Sequence, residues 1–170
     1  MRKVIVVCGL PGCGKSTVSE AVSKHLSLPI FSVDPIESAI VRSGIVRSFE
    51  TGLAAYLVAE TLATEQLKLG HSVVIDAVSG VIQAKDMWRK LAKKFEAKLV
   101  VIECFCSDDN IQRLRIENRN RDIVGIPEIS WDKVKEYEAE YVRWDEPHLL
   151  IDAVDDVEEN INKAVKYVTK

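Results

Sequence analysis

No hydrophobic run in this chain is longer than a strand requires. The first, Val4 to Cys8, holds five residues between Arg2-Lys3 and Gly9. Five is too few for a signal-peptide core or a membrane span, so a cytoplasmic location without a membrane partner is expected. An excess of positive charge is also missing. The 23 Lys and Arg against 26 Asp and Glu leave a net charge of −3. Extended nucleic acid is therefore not expected as a partner. Cysteine is sparse: Cys8, Cys13, Cys104 and Cys106 lie on or beside predicted strands without zinc-type spacing, and read as free thiols. His25, His71 and His148 stand singly and form neither a ligand pair nor a triad. Repeats and linker-like stretches are absent, so residues 1–170 read as one domain. A hydrophobic content of 47% with 29% charged residues is that of a soluble globular protein.

What is present is concentrated near the start. Gly9-Leu10-Pro11-Gly12-Cys13-Gly14-Lys15-Ser16-Thr17 fits the phosphate-loop pattern G-x-x-x-x-G-K-[ST] without departure. A β-branched run precedes it, and a helical pattern through Val18, Ala21, Val22 and Leu26 follows, giving strand, loop and helix. Gly12 and Gly14 let backbone N–H groups curl around a phosphate. Lys15 supplies positive charge at the β- and γ-phosphates, and the Ser16 hydroxyl is placed for Mg²⁺. The start of the following helix faces the same anion. Cys13 beside Lys15 has a charge that favours its thiolate, although a small filler residue explains it as well.

The rest alternates. Strands are expected at Lys3–Cys8, Ile30–Val33, Ser72–Ile75, Lys98–Phe105 and Leu149–Ile151. Helices are expected from about Lys15 to Leu26, from Pro35 to Val41 with Asp34 as cap, and over Leu53–Leu69, Gln83–Phe95, Asp108–Arg121, Trp131–Trp144 and Val157–Val168. Apolar strands alternating with helices predict a parallel sheet covered on both faces, a three-layer α/β/α fold.

Ligands of such sheets sit beyond the carboxyl ends of the strands. There the second strand delivers Asp34, the third delivers Asp76, and the fourth leads into a helix bearing Arg113, Arg115, Arg119 and Arg121. Asp34 is a candidate to orient an attacking hydroxyl and take its proton, or simply a helix cap. Asp76 resembles a Walker B acid acting on Mg²⁺, or is a turn residue. Arg119 and Arg121 are candidates to neutralise a transferring phosphoryl group. The plainer alternative is a solvated helix face paired with Glu117 and Asp122.

With these residues in place, the chain resembles the small P-loop kinases of the adenylate-kinase-like superfamily. It is most similar to the group of polynucleotide 5′-hydroxyl kinases, zeta toxins, chloramphenicol phosphotransferase and adenylylsulfate kinases. The resemblance rests on Gly9–Thr17, Ser32-Val33-Asp34, Gly70 to Ala77, and Cys106-Ser107-Asp108 with Arg115 to Arg119. It implies a five-stranded parallel sheet in order 2-3-1-4-5, ATP with Mg²⁺, and an arginine-rich helical lid near 108–128. It also implies that Asp34 binds or activates the acceptor hydroxyl, with Arg115 over the adenine and Arg119 over the phosphates. The chain departs from that group in having Ile36, Glu37 and Ser38 where an arginine often follows the acidic residue, the nearest being Arg42.

The expected activity is transfer of the ATP γ-phosphoryl group to a hydroxyl or phosphate of a small-molecule or nucleotide-type acceptor, by a monomer or homodimer. A hydrolysing nucleotide switch is the alternative. The guanine-reading Asn-Lys-x-Asp is missing, and the lone D-x-x-G, Asp122 to Gly125, follows the arginine helix rather than a strand. A nucleotide-binding module without turnover sits poorly with an intact Lys15-Ser16 and two strand-end acids.

Overall fold

In the computed structural model, which describes residues 1–119 and 123–170, the elements run β1 (Lys3–Cys8), α1 (Lys15–Leu26), β2 (Ile30–Ser32), α2 (Val33–Arg42), α3 (Phe49–Lys68) and β3 (Val73–Asp76). They continue with α4 (Ile82–Lys94), β4 (Lys98–Phe105), α5 (Asp109–Glu117), α6 (Trp131–Glu140), β5 (Leu149–Asp152) and α7 (Val157–Thr169). The five strands form a single parallel sheet in the order β2-β3-β1-β4-β5. This is the order the resemblance implied.

β1 is central, and its alternation explains its unbroken apolar run. Val4, Val6 and Cys8 face a core built with Ala55, Ala59, Ala63 and Leu67 of α3 and Trp88 and Leu91 of α4. Ile5 and Val7 face the other core, with Val18 and Val22 of α1 and Ala164 and Val168 of α7. Both faces are covered, so from Val4 onward no charged position survives along the strand. Each of these fully buried valines and isoleucines contributes about 1.5–3 kcal/mol of transfer free energy.

Four helix boundaries depart from expectation, each where a tertiary or capping contact overrides local pattern. α2 begins at Val33, so Asp34 lies in its first turn rather than at the cap. Ser32 holds the cap position, yet its hydroxyl is 3.4 Å from Asp76 Oδ2 and makes no cap bond. α3 begins at Phe49, four residues early, because Ser48 and Thr51 form a capping box: Ser48 Oγ accepts from Glu50 N (3.2 Å) and Thr51 Oγ1 accepts from Ser48 N (3.1 Å). α6 stops at Glu140 because the following segment is pinned to the sheet side. Val142 N donates to Gly80 O (2.8 Å), and buried Trp144 Nε1 donates to Cys8 Sγ (3.2 Å). α5 ends at Glu117 with Asn118 as its C-cap, short of Arg121.

The pinned segment also covers a buried charge cluster that sequence patterning does not disclose. Lys85 of α4 is fully buried, its ammonium 4.7 Å from the Trp144 ring centre and 5.1 Å from that of Tyr141. Burial holds its pKa below the ordinary lysine value, while the thiol of Cys8 and the carboxylate of Glu103 pull it back up. Glu103, buried in β4, lies 3.4 Å from both Arg143 Nη1 and His148 Nε2. No helix among the described residues is long and apolar enough to cross a membrane.

Candidate nucleotide-binding site

The register of the sheet sets the site. Val7 pairs with Asp76 and Ser32 with Asp76, so the loop after β1, the end of β3 and the start of α2 share one edge. Gly9 leaves β1 at φ 137°, and a Cβ there would stand 2.1 Å from Cys104 O. Glycine is therefore obligatory where the loop passes β4. Gly14 adopts the left-handed conformation (φ 73°) immediately before α1, whose first turn carries no acidic residue and no side-chain cap. The leading N–H groups of α1 are thus left to an anion.

Gly12 through Thr17 wall a cavity of about 410 Å³, closed opposite by Arg115, Arg119 and the β5–α7 turn at Ala153 and Val157. Lys15 is buried, whereas Ser16 and Thr17 are exposed. Leu10 and Pro11 form the inner bend of the loop: Cys13 N donates to Leu10 O (3.3 Å), and Gln112 Nε2 donates to Pro11 O (2.8 Å). Gln112 also reaches Cys13 Sγ (3.3 Å). This buried glutamine of α5 ties the arginine helix to the phosphate loop, and no motif marked it. The β5–α7 wall was likewise missed, because its residues are apolar and ordinary in sequence. Asn160 Nδ2 holds that turn through Asp152 O at 2.7 Å.

The arginines divide. Arg115 Nη2 donates to Ala153 O (2.8 Å), and Arg119 Nε lies 3.7 Å from Glu128 Oε2, so both sit over the cavity. Arg113 pairs with Glu117 at 2.7 Å with both side chains about half exposed, the solvated pair that the plainer reading expects. Arg121 lies outside the described residues. The expected pull of Lys15 on Cys13 is corrected: burial pushes that thiol up to about 12, with Cys106 adding to it, and Lys15 and Arg115 only partly oppose this. Cys13 is the small filler, and all four cysteines are free thiols.

Asp76 lies beneath the loop, almost wholly buried. Burial raises its pKa above the ordinary aspartate value and the charge of Asp34 adds to this. Lys15 and the hydroxyls of Ser16 and Ser32 pull it down. Its Oδ1 is buried without a hydrogen-bond partner among the described residues. An orphaned carboxylate oxygen next to a serine hydroxyl and a phosphate cradle is a donor set suited to Mg²⁺, which takes few protein oxygens and completes its shell with phosphate and water. Among the described residues no group of three or more His, Cys, Asp or Glu forms a protein-only metal cage.

Asp34 is half-buried, and its charge raises both Asp76 and Tyr56. Tyr56 belongs to a second cavity of about 930 Å³ between α2, α3, α4 and α6, and burial pushes its phenol up to about 12. Asp34, in the first turn of α2 just past the Ser32–Asp76 pairing of β2 with β3, is not among the residues that line either cavity, but its charge is felt at both Asp76 and Tyr56.

Residues 4–140 match the protein family described as AAA domain. The chain belongs to that family. A shikimate kinase of Clostridium beijerinckii is 30% identical over 86 residues, spanning 51% of this chain and 51% of that protein. This chain thus spans about half the length of that relative. A shikimate kinase of Clostridium botulinum is 27% identical over 139 residues, 79% of this chain and 84% of its own. Among solved structures, the APS kinase of Mycobacterium tuberculosis in complex with AMPPNP and APS superposes with a TM-score of 0.72 at 17% identity, covering 99% of each chain. The fold of this AAA-domain protein is that of the P-loop kinases.

Proposed function

We propose that residues 1–170 act as one phosphotransferase domain. It would move the γ-phosphoryl group of ATP, with Mg²⁺, to a hydroxyl or phosphate of a small-molecule or nucleotide-type acceptor. The observation that carries this reading is the placement of Asp34 in the first turn of α2, two residues past the Ser32–Asp76 pairing, from where its charge reaches both the phosphate-loop acid and Tyr56 of the second cavity. A nucleotide switch has no use for a second cavity reached by a carboxylate. The shikimate kinase relatives and the AMPPNP bound to the APS kinase neighbour support ATP as donor. ATP as donor is in keeping with a cytoplasmic protein.

In this reading Lys15 and the leading N–H groups of α1 hold the β- and γ-phosphates. Ser16 and Asp76 would hold Mg²⁺, which when bound neutralises phosphate charge. Asp34 accepts the proton of the acceptor hydroxyl as its oxygen bonds to the γ-phosphorus, and the bond to the β–γ bridging oxygen breaks to release ADP. Arg115 lies along the base and Arg119 over the phosphates, and Arg121 joins the candidates for charge neutralisation.

Asp34→Asn tests the division of labour. The amide keeps shape and most hydrogen bonding within the first turn of α2, so stability should move by less than about 1 kcal/mol, the worth of a charge at a helix start. ATP affinity should hold. Transfer should fall by ~10²-fold or more, the usual contribution of a positioned base. Unchanged transfer would remove Asp34 from the chemistry, and brisk acceptor-independent hydrolysis untouched by the variant would replace the kinase reading with the switch.

A further inference from the structure

The second cavity has a chemistry of its own. Its walls are mainly Phe49, Leu53, Tyr56, Val81, Met87 and Tyr137, contributed by α3, the turn before α4, α4 itself and α6. Phe49 is 82% exposed and Val81 49%, an unusual amount of apolar surface to leave in water at the mouth of a site.

The charges in this cavity cancel each other. Among its described lining residues the charged ones are Glu37 and Arg47. Glu37 is buried, and its Oε1 accepts from Arg47 Nε at 3.2 Å and from Thr51 Oγ1 at 3.0 Å. The guanidinium is thus already matched by a carboxylate. An incoming carboxylate or phosphate would meet an ion pair that is already neutral overall, joined through Arg47 Nε. Burying an unmatched anion is costly, so the cavity selects against one.

Gly52 points to the same kind of occupant. It sits inside α3, where glycine weakens a helix relative to alanine. Its backbone needs no positive φ. A Cβ there would approach Glu37 Oε1, at 4.0 Å, and no nearer neighbour. Among the described residues no other group comes within 4 Å of that Cβ position, and Gly52 lines the cavity.

We infer that this cavity takes an acceptor with an apolar, ring-sized body and a hydroxyl but no anionic group, and that Glu37 and Gly52 set that preference. The inference rests on the phosphotransferase reading for the meaning of the cavity. Its test is one of binding, and so stands apart from turnover.

The probes are a matched pair: 3-phenylpropane-1,2-diol, and 3-phenyllactate, which carries a carboxylate in place of the terminal carbinol. Each is titrated calorimetrically into the full chain. The diol should bind at least ~10-fold more tightly, a modest penalty for an unmatched buried anion. Gly52→Leu fills the room and should weaken the diol ~10-fold or more, while melting no lower than the parent because leucine is the better helix former. ATP binding to that variant should be unchanged. Glu37→Gln frees Arg47 and should narrow the preference for the diol by ~5-fold or more, in favour of phenyllactate. Equal or tighter binding of phenyllactate overturns the inference, and so does an undiminished diol affinity in Gly52→Leu, an unmoved preference in Glu37→Gln, or no binding of either probe. Each of these failures leaves the phosphotransferase reading intact as long as ATP binding still depends on Lys15. Tight diol binding with no phosphoryl transfer to any acceptor keeps the cavity chemistry and removes the kinase.

Discussion

Asp76 shows at a single residue how a site is kept ready at a cost in stability. It is a buried carboxylate with one oxygen lacking a partner among the described residues, and burial holds its pKa above the ordinary range. For an acid whose folded pKa exceeds its unfolded one, ionisation opposes folding. The penalty is absent below the unfolded pKa, grows as pH rises between the two, and is complete above the folded pKa. Asp76→Asn removes it. The ligand-free variant should therefore be more stable than the parent above that window by about 0.5–2 kcal/mol, the usual gain from relaxing a functional position. The difference should fade on acidification toward about pH 4. The same variant should lose most of the Mg²⁺ dependence of ATP affinity, because the amide offers the ion no charge. Urea melts across the pH range, with ATP titrations with and without Mg²⁺, check both halves. A variant less stable at every pH would make Asp76 a structural partner of Ser32 instead.

At the scale of elements, α5 ties the arginine segment to the phosphate loop. Gln112 fastens it to the inner bend of the phosphate loop, while Arg115 and Arg119, one turn apart, reach over the cavity. Arg119 is held near Glu128, so its charge is oriented before any nucleotide enters. Arg119→Lys keeps the charge but loses the planar fork. If the group acts on the transferring phosphoryl, kcat should fall by ~10-fold or more with little change in KM, because the charge develops in the transition state. A steady-state comparison decides it, and unchanged kcat would leave Arg119 a structural partner of Glu128. The helical pattern of α5 was legible in the sequence, though not its end at Glu117, and so were the phosphate loop, the strand-end acids and all five strands to within one residue at either end. The hold of Gln112 was not, because a glutamine four residues beyond a cap carries no pattern. The starts of α2 and α3 and the ends of α5 and α6 were misread for a related reason: Asn118 turns its amide back onto Leu114 O and closes α5. Ser32 spends its hydroxyl on Asp76, Ser48 pairs with a threonine rather than the expected glutamate or glutamine, and Trp144 answers to Cys8 across the core.

At the scale of the whole molecule, the sheet order brings the two acidic residues and the phosphate loop to one edge. β3 lies between β2 and β1, so Asp76 stands directly between Asp34 and the phosphate loop. A ligand that binds only the folded state stabilises it by RT ln(1 + [L]/Kd). ATP·Mg²⁺ at a hundred times its Kd should therefore add about 2.7 kcal/mol, a rise in melting temperature of roughly 5–11 °C for a chain of this size. The two halves of the edge should respond differently. Lys15→Ala removes the point charge at the β- and γ-phosphates, so most of the protection should vanish although the unliganded melt barely changes. Asp76→Asn should lose the part that depends on Mg²⁺. Asp34→Asn and Gly52→Leu, on the acceptor side, should keep the full ATP shift. A thermal-shift series over the four variants, with ATP alone and with ATP·Mg²⁺, reads the arrangement directly. If Asp34→Asn forfeited ATP protection as fully as Lys15→Ala, the carboxylate would belong to the nucleotide, and the second cavity would lose its claim to an acceptor.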